Sequence, residues 1–329
     1  MSSEVGKYRL GPFLLASEIP IPELPMLQAG TPDAFIRLGA VPQRLDNVVA
    51  NESRWWASRE QYLQHVPGVA SFLVSHGEEV IVEPAPNALA PDIRAYLLAP
   101  IFSALCYQAG MFSLHASSVR VGDEVVAFLG QSGAGKSTLA AYLDRRGFTV
   151  VSDDICLLDP RPAGPDAAGK VLVVPVAPAL KLWRSALEQL GSAPEDLPRV
   201  FSRDDKYRLT IHQAGQIDQA LPLREVLFLE WAEDPDAQPA FTPVNGVQAV
   251  ARLMEFTHFD YLMKATGRQT GNFLLCGRIL AQAPAFAFRR PRSFARIDRA
   301  IAALEQHLAA STANKEANKE PIEIGEHEK

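Results

Sequence analysis

The stretch VVAFLGQSGAGKS, residues 125 to 137, constrains this chain more than any other. A short apolar run, Val125 to Leu129, breaks into a glycine-rich turn that closes on Lys136 and Ser137. Gly130, Gly133 and Gly135 tolerate backbone conformations that side chains would block, so successive N–H groups can face one concavity. An anion such as a nucleotide phosphate fits there. The run predicts a strand, then a phosphate-binding loop of Gly130, Gln131, Ser132, Gly133, Ala134, Gly135, Lys136 and Ser137. A helix from Thr138 to Arg146 follows, with its N-terminal partial charge adding to the attraction. In such loops the lysine reaches the β and γ phosphates and the serine hydroxyl holds Mg²⁺, so ATP and Mg²⁺ are the expected ligands.

With 329 residues, 47% of them hydrophobic and 21% charged, the chain can bury a large core and form two domains. A net charge of −6 provides no dominant basic field, which argues against nucleic-acid and membrane-surface partners. No apolar run reaches the length of a membrane span, and the opening MSSEVGKYRLGPFLLASEIP lacks a basic segment followed by a continuous apolar core. A cytoplasmic location is expected. Cys106, Cys156 and Cys276 are widely spaced and odd in number, the pattern of buried free thiols rather than of a disulfide framework.

Residues 1–92 read as a small β-rich domain, punctuated by proline and glycine, with SFLVSHGEEVIVEP as a hairpin turning at Gly77. Trp55 and Trp56 precede what looks like a helical turn, and a core or inter-domain plug suits them better than ligand stacking. The nearly uncharged stretch from Ala90 to Met111 predicts a helix buried on most of its surface. A hairpin turning at Gly122 and Asp123 leads into the phosphate loop and sets His115 at the start of its first strand. A strand over Thr149 to Val151 ends in Asp153 and Asp154, at a carboxyl end where open α/β sheets place their ligands. Residues 160–172 read as a long loop, 93–309 as the loop-bearing domain and 310–329 as a disordered tail.

Phosphoryl transfer needs a base for a hydroxyl proton and a carboxylate that helps hold Mg²⁺. Adjacent aspartates can divide those roles; an extended strand sends their side chains to opposite faces, so at most one meets the γ phosphate. Solvation or helix capping is the alternative for the pair, and an ordinary hydrogen-bonded strand histidine is the alternative for His115. Arg203, Lys206 and Arg208 could clamp a transferred phosphate or a substrate carboxylate, or form a solvated loop edge. Core packing is the reading for His258 and Trp183.

The span LHASSVRVGDEVVAFLGQSGAGKSTLAAYLDRRGFTVVSDD resembles the catalytic core of the HPr kinase/phosphorylase family, where a histidine, the phosphate loop and a paired-aspartate strand follow in this order. That resemblance implies an α/β P-loop kinase domain of the HPr kinase and phosphoenolpyruvate carboxykinase type. It makes Asp154 the general base, Lys136 a γ-phosphate ligand, Ser137 an Mg²⁺ ligand and His115 an active-site residue, which leaves Asp153 for the metal. Thr138 stands where the family usually has glutamate, and VPVAPALKLW replaces its glycine-rich signature, so the implied activity is a kinase without the reverse phosphorylase function. The opening YRLGPFLLASEIPIPELP and the overall layout are similar to HPr-kinase-like proteins among peptide-tailoring enzymes, including kinases of lasso-peptide precursors. The expected acceptor is a serine of a peptide or protein. A small-molecule or sugar kinase and a non-catalytic nucleotide-binding regulator are the alternatives, and association into homo-oligomers stays open.

Overall fold

Alternating apolar and polar residues over the first 84 positions are the pattern of half-buried strands. The computed structural model describes residues 5–161, 170–176, 179–212, 219–265 and 269–317. In it the pattern becomes β1 (Gly6–Leu10), β2 (Phe13–Ser17), β3 (Ala34–Leu38), β4 (Ala50–Glu52), β5 (Trp55–Ala57), β6 (Gln61–Val66), β7 (Ala70–Ser75) and β8 (Glu79–Pro84). These form one sheet in the order β1-β2-β3-β8-β7-β6-β5-β4. The expected hairpin is β7–β8, with Gly77 at φ 73° in its turn. Trp55 and Trp56 lie on a strand rather than before a helical turn, because they pair across to Gln64 and Leu63.

The uncharged stretch that follows folds as α1 (Ala90–Tyr96) and α2 (Phe102–Gln108), joined by a π-helical turn over Leu97–Ile101. Pro100 lies inside that turn; lacking an N–H, it cannot sustain the regular helical ladder. Phe102 to Tyr107 are all buried, and α2 packs between β7 and the next strand, β9 (Phe112–Leu114). One hydrophobic cluster therefore runs from Leu15 and Phe72 through Phe102 to Leu114 and Val226.

The rest of the chain continues with β10 (Ala116–Val121), β11 (Glu124–Leu129), α3 (Lys136–Arg145), β12 (Val150–Ser152), β13 (Cys156–Asp159), β14 (Leu172–Val174), β15 (Ala179–Trp183) and α4 (Arg184–Gln189). Then come β16 (Lys206–Thr210), β17 (Leu221–Trp231), β18 (Ala240–Val244), α5 (Gly246–Glu255), α6 (Asp260–Ala265), α7 (Gln269–Gln282), β19 (Ala285–Arg290) and α8 (Ile297–Ala317). The second sheet branches at β17, whose 11 residues pair with β11 and β19 on one limb and with β14 on the other, where β14 leads on to β13 and β13 to β9. The apolar run Cys156–Leu158 is a strand that its composition alone did not separate from its neighbours. Helix α8 continues to Ala317, past the last amphipathic position at Leu308, through good helix formers such as Ala, Lys and Glu. Residues 318–329, the remainder of the expected tail, and 162–169 of the expected loop lie outside the described residues. Cys106, Cys156 and Cys276 are buried and free, and no helix among the described residues is long and apolar enough to cross a membrane.

Strand direction positions the site. Strands β11, β17 and β19 run parallel, and β12 shares their direction because both it and β11 are antiparallel to β10. The carboxyl ends of four strands and the amino end of β10 therefore meet at one edge. Along it lie, in order, Asp153 and Asp154, His115, the glycine loop, Trp231 and Arg290, with all these ends converging where open sheets place ligands.

Candidate functional site

The glycine loop is shaped for close backbone approach. A Cβ on Gly130 would lie 2.8 Å from the Ala134 Cβ, and Gly135, the residue before α3, has φ 82°. No side chain caps α3, which leaves its first N–H groups facing the loop. Helix α3 begins at Lys136, two residues before the position the sequence suggested. Lys136 is buried and folds back on its own loop, donating to Gly130 O at 2.7 Å. Burial lowers its pKa, with Asp153 and Asp154 opposing that shift.

The two aspartates separate at a kink: Asp154 sits in the left-handed region at φ 70°, a conformation that Asp tolerates better than most residues. Asp153 is buried beneath, accepting from Ser117 Oγ at 2.6 Å and from the Lys181 N–H at 2.8 Å. Asp154 lines the cleft, with Lys181 Nζ 2.8 Å from Oδ2 and His115 Nδ1 3.3 Å from Oδ1. Thus one residue of β15 holds both carboxylates. Burial works against ionisation of Asp154, but the Lys181 ammonium and then the His115 hydrogen bond outweigh it and hold its carboxyl well below the usual carboxylate range.

His258 belongs to the site as well as to the core. Its ring stacks on that of His115, with centroids 5.3 Å apart and planes 11° from parallel, and its Nδ1 is 3.3 Å from Ser103 Oγ. Burial pushes its pKa down to about 3, against the pull of Asp154, so the imidazole is neutral. The ligand atoms of His115, Asp154 and His258 lie within 4.8 Å of one another. The Lys181 ammonium already supplies a positive charge at Asp154, which works against a metal ion in that corner.

A cleft of about 430 Å³ joins these parts. Its lining includes Lys136, Ser137 and Thr138 from α3, Asp154 and His115, Lys181 and Trp183 of β15, and Trp231, Arg290 and Phe294 on the opposite wall. Gln131 and Ser132, at the loop tip, also line two open clefts of about 300 and 850 Å³ that continue along Glu255 and Phe256. The basic group splits up. Lys206 lines the central cleft, 5.8 Å from the Trp183 ring; Arg208 turns to Glu23 at 3.6 Å; and Arg203 stays on the exposed turn before β16. Charge pairing with Glu23, in the connection between β2 and β3, thus removes Arg208 from the cluster.

Trp183 is half exposed at the cleft rather than in the core. Lys181, Arg290 and Ser117 escaped the sequence reading. A lone lysine in the apolar strand ALKLW and an arginine pair closing the strand AFAFRR were the available signals, since both are charges set among strand residues.

No family model matches the chain, and no curated protein matches it. Among solved structures, the HPr(Ser) kinase/phosphatase from Coxiella burnetii matches with 9% identity over 60% of this chain and 97% of that one, at a TM-score of 0.29. That match assigns no residue role here.

Proposed function

We propose that this protein transfers the γ-phosphoryl group of ATP, with Mg²⁺, to a hydroxyl. The observation that carries this reading is that Lys136 of the glycine loop and the ionised Asp154 line one cleft and are flanked by a second ammonium, that of Lys181. The cradle fits a polyphosphate: the loop is open to close approach, the helix end is uncapped, and Lys136 would exchange Gly130 O for phosphate oxygen. Ser137 lines the same cleft and would hold Mg²⁺, with Asp153 behind it through the lone pairs left by its two hydrogen bonds. When bound, Mg²⁺ neutralises charge on the transferred group.

Asp154 would accept the proton of the acceptor hydroxyl. Lys181 keeps it ionised, and also weakens it as a base; turning the ammonium toward an incoming phosphoryl group would restore basicity as the hydroxyl arrives. His115 Nδ1 lies 3.2 Å from the Asp154 carbonyl oxygen and 3.3 Å from Oδ1, so it would steady Asp154 at the cleft. An acceptor hydroxyl would reach Asp154 past His115 from the open cleft of about 300 Å³ that His115 and the loop tip line, and an open approach suits a serine of a peptide or protein better than a small sugar.

ATP with Mg²⁺ at about a hundred times its dissociation constant should stabilise the fold by roughly 2.7 kcal/mol, and Lys136→Ala should lose most of that gain. Mass spectrometry of serine peptides, free serine and sugars incubated with ATP and Mg²⁺ then identifies the acceptor. A melting temperature indifferent to ATP and Mg²⁺ removes the reading, and phosphate appearing only on a small molecule replaces its acceptor.

A further inference from the structure

Arg290 closes β19 at the edge that carries the glycine loop. It is 2% exposed, and its guanidinium lies 4.4 Å from the Trp231 ring centroid and 5.5 Å from that of Phe288. Nη2 donates to Ala134 O of the loop at 2.5 Å. Nε and Nη1 have no hydrogen-bond partner, and no carboxylate pairs with this side chain among the described residues. A guanidinium carries five N–H donors and stays charged, so most of its donors are unmet in a site that water does not reach. Burial lowers its pKa to about 10, and no neighbouring charge offsets that effect.

Among the described residues, the other charges buried from β9 onward are held differently. Asp144 accepts from His212, Asp153 accepts from Ser117 and Lys181, and Glu225 lies 3.2 Å from His307 Nε2; Lys136 donates to Gly130 O beside two aspartates, and Arg224 donates to Leu308 O of α8, away from the cleft. An uncompensated buried cation is costly. Arg290 nonetheless lines the cleft beside Gly135, Lys136 and Ser137, and the loop is built around it: a Cβ on Gly135 would lie 3.0 Å from Nη2.

We propose that the missing counter-ion of Arg290 is a phosphate oxygen of the bound ligand, so that Arg290 is a polyphosphate-binding residue facing Lys136 across the cleft. The proposal rests on the phosphate reading of the loop given above and adds a residue from the opposite wall. Because Nε and Nη1 are covered in this structure, the guanidinium must turn toward the cleft for Nη1 to take the anion while Nη2 keeps Ala134 O, two bonds that the planar fork can make at once. The ligand class is a nucleoside di- or triphosphate, or inorganic pyrophosphate.

The test titrates ATP, ADP, pyrophosphate and adenosine, each with Mg²⁺, into the wild type, Arg290→Met and Arg290→Lys. Methionine keeps the bulk and removes the buried charge. The Met variant without ligand should therefore melt no lower than the wild type, while binding the three phosphate ligands about 10- to 100-fold more weakly and adenosine equally. The Lys variant should lose at least about fivefold, since one ammonium cannot span Ala134 O and a phosphate. Phosphate affinities within threefold of wild type in the Met variant, or in the Lys variant if the Met variant does not fold, overturn the proposal. A wild type that binds pyrophosphate but not ATP removes the nucleotide reading and leaves Arg290 to be judged on pyrophosphate. A wild type that binds neither overturns both.

Discussion

The two sheets bury different things. Among the described residues, the N-terminal sheet buries apolar side chains with Ser17 and Ser75 as its polar exceptions, whereas the chain from β9 onward buries Lys136, Asp144, Asp153, Arg224, Glu225, His258 and Arg290. Burying charge costs free energy unless it is paired, so the second sheet gives up stability that the first does not. Four of those seven residues lie at the loop-bearing edge itself: Lys136 at the start of α3, Asp153 after β12, Arg290 at the end of β19, and His258 stacked on His115. The difference separates an apolar scaffold from a region whose charges line or underlie the cleft. Not all of them do so: Glu225 faces His307 of α8, away from the cleft.

The sharpest way to break this comparison is at Asp154. Asp154→Asn keeps the shape and cannot take a proton, so phosphoryl transfer should fall by about 10² to 10⁴ while ATP binding persists. Asp153→Ala should act differently. It leaves both the Lys181 N–H and the Ser117 hydroxyl without their acceptor, and the unmet buried donors should cost about 1–3 kcal/mol of stability in denaturant titration. Equal, mild losses of activity in both variants would make the carboxylates a single structural pair.

A change in the scaffold should give the opposite outcome. Phe72 is fully buried in the N-terminal sheet, and Phe72→Ala should cost about 3–5 kcal/mol by leaving a cavity. Its ATP dissociation constant should stay at the wild-type value. A large affinity change would show that the shared core transmits strain from one sheet to the other.

The smallest effect is one of pH. His258 is neutral in the fold, with a pKa near 3, against an ordinary value of 6.5. Below 6.5 the unfolded chain takes up a proton that the folded chain refuses, so this residue's contribution is complete above pH 6.5 and falls as pH drops toward 3. The slope is up to about 1.4 kcal/mol per pH unit. Stability curves between pH 6.5 and 4.5 should be less steep in His258→Gln by that amount, and parallel curves would mean that His258 titrates normally in the fold.

Much of this arrangement was legible in the residues because it is local. Glycine spacing before Lys136 and Ser137, the turns at Gly77 and Gly122, and a strand ending in Asp153 and Asp154 depend on backbone preferences within a few positions of one another. The two aspartates do face different ways, as the sequence suggested, but not through strand alternation: β12 ends at Ser152, and the left-handed backbone of Asp154 sends its side chain into the cleft while Asp153 stays beneath.

Other parts were decided only when distant segments met. Lys181 reads as one cation in an apolar strand, and its grip on both aspartates exists because β15 lies against the end of β12. His258 has a helical, apolar context that reads as core; its stacking on His115 comes from the packing of the segment after α5 against the start of β10. Arg208 left its basic neighbours for Glu23, a partner far away in the chain, and Arg290 reached the loop because β19 runs parallel to β17 and β17 to β11. Sequence by itself determined where the backbone turns and which residue types could carry phosphate chemistry. Tertiary structure decided which charges are paired and which are left facing the cleft, because pairing depends on distances of a few ångströms between elements far apart along the chain.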